Sequence, residues 1–228
     1  MRQEQSERYI FSAYATSLGA LLHQPVKAFL SDVPCAAIPV TGGLISQSRD
    51  EVSFRVGAQE VLKAGRASAT VLGELRGNHY VTLATSTVEK LNILDVVTAD
   101  LVVSRVTSMY PVRKSGEKRP EGESQSSQFC LAGSHFENLR IDGKLIEYDV
   151  DPGLQSEEGF SIRKLEVAHR CLFGERREHR VAQFGTVHLG EVDMYGAKVI
   201  LTMLRVELGC PFAGAFAVGG SSSNGADG

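Results

Sequence analysis

The stretch Tyr80–Val106, YVTLATSTVEKLNILDVVTADLVVSRV, decides the fold class. Val81, Leu83 and Thr85 alternate with Thr82, Ala84 and Ser86. Further on, Ala99, Leu101 and Val103 alternate with Asp100, Val102 and Ser104. A two-residue period rich in β-branched side chains is the signature of a pleated strand. Asn92 and Asp95 interrupt the alternation where a turn or bulge belongs. The stretch predicts a β-hairpin.

The same stretch contains half of an internal repeat. Ser86–Ile93, STVEKLNI, and Ser134–Ile141, SHFENLRI, share Ser, Glu, Leu and Ile at matching positions, with Val88 answered by Phe136. Each copy runs into a turn, at Asp95 and at Asp142-Gly143, and then into a second β-like run, Val96 to Val106 and Lys144 to Val150. Two copies are too few for a solenoid, which needs about three. Stacked or facing hairpins within one domain fit the repeat.

Working outward, Tyr9–Leu22 alternates as a strand, Glu51–Val56 as a short strand, and Ala67–Leu72 as another. Pro25, Pro34 and Pro39 place the segment between them on edges and turns, because proline cannot donate to a ladder. Pro111–Gln128 is polar, mixed in charge and without an apolar anchor, so loop 111–128 reads as exposed. Ser156–Arg180 fits neither period, and a short helix around 156–170 is allowed by Glu157 and Glu158 in its first turn. Lys198–Leu208, KVILTMLRVEL, is apolar on both faces and reads as a central strand covered on both sides. Residues 1–8 read as a flexible lead-in. Residues 219–228, GGSSSNGADG, have the composition of a flexible Gly/Ser tail. The expected architecture is an all-β, antiparallel, jelly-roll-like sandwich over residues 9–218.

Composition narrows function mainly by exclusion. The 228 residues are 43% hydrophobic and 22% charged, with a net charge of −3. Such a balance gives no general attraction to nucleic acid or to an anionic membrane. Trp is absent and aromatics are 7%, which disfavours platforms that stack bases or sugars on exposed rings. No run approaches the roughly 18 apolar residues of a membrane helix. MRQEQSERYIF lacks the apolar centre of a signal peptide, so the cytoplasm is the expected location. Cys35, Cys130, Cys171 and Cys210 are scattered without metal-ligand spacing and read as free thiols.

No phosphate loop, dinucleotide fingerprint or nucleophile elbow is present. His23, His79, His135, His169, His179 and His188 form no ligand pair, and His188 reads as a half-exposed strand residue. Arg170, Arg176, Arg177 and Arg180 are interrupted by Glu175 and Glu178, the pattern of a solvated face. The acids carry the one chemical alternative. Glu89 with Glu137, or Asp95 with Asp100, would make a carboxylate pair for acid–base work or a hard-cation site if the repeat units faced each other. No catalytic, cofactor-binding or metal residue is assigned from the sequence.

Several of these segments in order resemble the choice-of-anchor P family of bacterial β-rich domains. The likeness lies in the N-terminal strand ending near Pro39-Val-Thr-Gly-Gly43, in Leu91–Asp100 (LNILDVVTAD) and in Ser134–Gly143. Gly185–Glu191 (GTVHLGE) before a long apolar strand is also similar. The resemblance implies a surface or secreted β domain, which makes the cell surface the alternative location, and it supplies no catalytic residues. The leading expectation is a non-catalytic structural or interaction module that assembles with itself through strand edges or apolar faces. A sandwich module binding a small molecule or glycan is second, and a hydrolase using a carboxylate pair is third.

Overall fold

The computed structural model describes residues 9–112, 127–156, 159–161, 171–174, 177–196, 198–209 and 211–224. The expected antiparallel sandwich is present, built from two sheets. The first has six strands in the order β12-β13-β14-β15-β1-β2: β12 Arg177–Val181, β13 Gly185–Tyr195, β14 Lys198–Leu208, β15 Ala213–Asn224, β1 Ala13–Gln24 and β2 Ala28–Ala37. The second sheet is formed by β3 Gly43–Val56, β4 Gln59–Arg76, β5 His79–Ile93 and β6 Val97–Pro111 as a meander. Beyond β6 lie the short strands β7 Gln128–Cys130, β8 His135–Glu137 and β9 Arg140–Ile141, with β10 Lys144–Leu145 and β11 Phe160–Ser161 outside them. A single turn of helix, α1, spans Pro152–Gln155, with the Asp151 side chain capping Gly153 N at 2.8 Å.

The hairpin expected at Tyr80–Val106 is β5 and β6, closed at Asn92 and Asp95, where the Asn92 side chain donates to Asp95 at 2.7 Å. The repeat is structural. Its two copies pair with opposite edges of β6 in one register: Val88 and Phe136 both face Val102, Glu89 and Glu137 both face Leu101, and Ile93 and Ile141 both face Val97. The backbone repeats as well. Lys90 and Asn138 have φ of 51° and 50°, and Leu94-Asp95 is answered by Asp142-Gly143, all with positive φ.

Lys90 and Asn138 belong to a line that crosses the sheet from β3 to the strands beyond β6. Glu51 (φ 53°), Lys90 and Asn138 sit on alternate strands, with Gly65 and Asp100 between them. At this line two successive residues face outward, so the inward phase slips by one. In β5 the buried set runs Thr82, Ala84, Ser86, Val88 and then Leu91, Ile93; in β6 it runs Val97, Ala99 and then Val102, Ser104, Val106. The first sheet has its own line. Gly190 (φ 62°) and Gly219 (φ 68°) flank Met203, and Ser17 lies beyond. The two lines stack across the sandwich, since a Cβ on Gly219 would stand 3.3 Å from a Val102 methyl. The strand register runs unbroken through both lines, so whole cross-strand rows change face together at the same height.

The interior differs on either side of the stacked lines. On one side, where β1 and β15 cross β4, β5 and β6, the packed side chains are small: Ala13, Ala15, Ala36, Ala69, Val71 and Ala84. Serines join them: Ser17 donates to Ser68 O at 2.6 Å, Ser221 to Ser104 O at 3.0 Å, and Ser108 and Ser223 share a 2.6 Å bond. Each bond crosses between the sheets. A serine hydroxyl that reaches the opposite backbone places the sheets well inside the usual ~10 Å spacing, and Cα atoms of β1 and β15 come within 8 Å of those of β4, β5 and β6. On the other side the core is Leu18, Leu22, Leu62, Leu91, Ile93, Leu204, Val206 and Phe216.

Four expectations are corrected. Residues 219–224 are no tail: they complete β15, in the centre of a sheet between β14 and β1. Glycine and serine are the residues that close sheet contact needs there. Strand Lys198–Leu208 is buried on its inner face alone. Its doubly apolar look comes from the phase slip at Met203-Leu204, both fully buried. The short strand at Glu51–Val56 is the end of a longer one, β3. Within the expected helix at 156–170, Phe160–Ser161 forms β11 against β7. The remainder of that segment at 157–158 and 162–170, most of the loop 111–128, the lead-in 1–8 and the last residues 225–228 lie outside the described residues.

Candidate functional site

The carboxylates singled out from sequence do not converge. Glu89 and Glu137 flank Leu101 from its two sides, so β6 lies between them, and two strand spacings separate their backbones by roughly 10 Å. Both are exposed on the outer face, where Glu137 lies 3.7 Å from His135. Asp95 holds the β5–β6 turn with Asn92, and Asp100 accepts from Asn138 Nδ2 at 2.5 Å. Each acid thus has a local structural partner or an open face.

The densest charged group is elsewhere, on the outer face of β12, β13 and β14. Register places Glu178, His188 and Arg205 side by side. His188 faces outward as expected, yet it is 7% exposed, not half-exposed, because carboxylates surround it. Its Nδ1 lies 3.7 Å from Glu178 and 3.8 Å from Glu191, and its Nε2 lies 3.6 Å from Glu207. Arg205 grips Glu191 through two bonds of 2.7 and 2.8 Å and also donates to Glu207. The hydrogen bonds to Glu191 raise the guanidinium pKa further, and the bond from Arg205 lowers that of Glu207. With Arg205 filling the space between the acids, this is a cross-strand ion-pair network. Among the described residues no group of His, Cys, Asp or Glu could hold a metal ion. Of the basic cluster, Arg177 donates to Glu147 O at 2.8 Å and Arg180 is exposed; Arg170 and Arg176 lie outside the described residues.

Two surface features went unmarked in the sequence. The first is the outer face of β2, β1 and β15. Its cross-strand rows are Phe29–Leu21–Ala215, Cys35–Thr16–Gly220 and Ala37–Tyr14–Ser222, with Gly19 beside Ala217. None of these residues is charged. Phe29 is 74% exposed, Leu21 44%, and Val26 in the adjoining turn 60%. The sequence signal was the charge-free run Tyr9–Leu22 together with Phe212–Ser223.

The second is an open cleft of about 360 Å³ at the wide end of the sandwich. The two repeat turns stand side by side there, joined by Asp142 N donating to Val96 O at 2.8 Å. Leu94 and Asp142 from those turns line the cleft with Gln183, Phe184 and Phe212. Leu94, Asp142 and Gln183 all have left-handed backbones, with φ of 53°, 52° and 60°. Aspartate tolerates that region, but leucine does so at a cost of about 1–2 kcal/mol. The turn therefore holds a bulky apolar residue where glycine or asparagine would be cheaper.

No described helix is long and apolar enough to cross a membrane. No curated protein and no solved structure matches the chain. The domain of unknown function DUF8256 matches residues 9–166, well over half of the sequence, from the start of the narrow region through β11. The chain belongs to the DUF8256 family.

Proposed function

We propose that the protein is a non-catalytic interaction module that associates with a second copy through the outer face of β2, β1 and β15. The observation that carries this reading is that the paired rows Phe29–Leu21–Ala215, Cys35–Thr16–Gly220 and Ala37–Tyr14–Ser222 carry no charged residue and present Phe29 and Leu21 to solvent. Against a two-fold copy these rows meet no like charge, whereas the face of β12 to β14 would set its Glu and Arg network against itself. The edges fit less well as joints. β2 carries Pro34, and β3 exposes Arg49 and Asp50 beside the left-handed Glu51, devices that discourage strand addition.

Size sets the strength of the contact. The eleven residues named on the three strands give a footprint of roughly 360 Å² per copy from ordinary strand spacings. The two-fold contact then buries roughly 700 Å², well short of the ~1,600 Å² of a standard stable interface. Association in the micromolar range is expected, not nanomolar. Sedimentation should show mass rising with concentration, and Phe29→Lys should abolish the rise while leaving circular dichroism unchanged. A wild-type chain that stays monomeric to about millimolar concentration, beyond the range of even weak specific interfaces, ends this reading.

A further inference from the structure

We infer that the cleft at the wide end binds a small neutral or amine-bearing molecule with an apolar body of one or two rings. Its volume of about 360 Å³ lies at the low end of ligand pockets, which run from about 300 to 1,000 Å³. The lining is apolar where it is deepest, with Phe184 buried beneath half-buried Leu94, Val96, Val181 and Phe212. Convergent polar groups stand at the exposed rim. Gln59 and Gln183 each offer an amide donor and acceptor, and Asp142 offers a carboxylate. Among the described residues of the lining Asp142 is the one ionisable side chain, and none of them is a cation that would receive an anionic group. An anion would meet an uncompensated carboxylate, while an amine or hydroxyl would find an acceptor.

The local backbone points the same way. Three turns from distant parts of the chain converge on the cleft, and each contributes one non-glycine residue in the left-handed region. Residues held in sparsely populated conformations cluster at ligand clamps, where the surrounding structure fixes them. In the first repeat turn the strained residue is Leu94; in the second, the same place is taken by Asp142, which tolerates the conformation. Leucine at that turn position supplies apolar lining, as the cleft wall requires.

Three fluorescent probes of matched ring size test this: neutral N-phenyl-1-naphthylamine, a trimethylammonium derivative of it, and anionic anilinonaphthalene sulfonate. The neutral and cationic probes should bind at least tenfold more tightly than the anion. Phe212→Ala should weaken both by tenfold or more. Asp142→Asn should remove the preference for the cation over the anion and leave the neutral probe unchanged. Phe29→Lys should leave all three affinities unchanged, because that face is separate from the cleft. Failure of self-association would therefore not disturb this result. Equal binding of the three probes, no saturable binding, or binding lost with Phe29→Lys but kept with Phe212→Ala would overturn the inference. Should Phe212→Ala unfold, Phe212→Trp, which fills the mouth, is expected to block the probes in a folded chain.

Discussion

The narrow and wide regions of this sandwich are built from the same strands and packed on opposite rules. In the narrow region Ala15, Ala69 and Ala84 let the sheets approach until Ser17 and Ser221 bond to the facing backbone. In the wide region Leu91, Leu204 and Phe216 hold them apart. The change happens within single strands: β5 carries Ala84 and Ser86 on one side of the slip line and Leu91 and Ile93 on the other. One row of left-handed residues in each sheet thus converts a polar, closely set interior into an apolar one that opens into a cleft.

Reciprocal substitutions would break that contrast most directly. Leu204→Ala in the wide region leaves a cavity under a fully buried side chain and should cost about 2–5 kcal/mol in denaturant unfolding. Ala69→Leu in the narrow region inserts volume where none is free and should cost about 1–3 kcal/mol by overpacking. If Ala69→Leu is neutral, the sheets are not closely set and the division has no energetic meaning.

The serines sharpen the contrast at a smaller scale. Ser17→Ala removes a cross-sheet bond and should cost about 1 kcal/mol. Ser86, paired in register with Ser104, has a buried hydroxyl with no hydrogen-bond partner among the described residues. Ser86→Ala should be neutral or stabilise by up to about 1 kcal/mol, since it removes a desolvated and unsatisfied group. The opposite signs are readable in thermal or denaturant unfolding of the two variants.

Much of this was legible in sequence, and the failures share one physical cause. The β5–β6 hairpin and the repeat were readable because alternation and turn residues are local. The slip line was present as Val88-Glu-Lys-Leu91 and Phe136-Glu-Asn-Leu139, apolar residues parted by two polar ones, a change of face that can also pass for a break in a strand. Gly219–Ser223 was misread because a strand packed against a close neighbour and a solvated linker favour the same small residues. What separates them is contact with β1 and β14, far away in sequence. The cleft was hidden for the same reason: Leu94, Asp142 and Phe212 come from three turns that only the folded sheets bring together.

The smallest expected effect concerns the wide region and pH. His179 pairs with the fully buried Val187 and shares its inward face on β12, and its Nε2 is buried without a hydrogen-bond partner among the described residues. Burial lowers its pKa below the ordinary value of 6.5, and Arg177 lowers it further. The unfolded chain then binds a proton that the folded chain resists. The stabilisation from the neutral ring is fully present above about pH 6.5 and is lost as pH falls toward the depressed folded value. His179→Leu keeps an apolar side chain in place and removes the proton, so its stability should fall less than that of the wild type between pH 7 and 5. Identical pH profiles for the two chains would show that the opening between the sheets leaves this ring hydrated, and that the wide region admits water further in than its aliphatic packing implies.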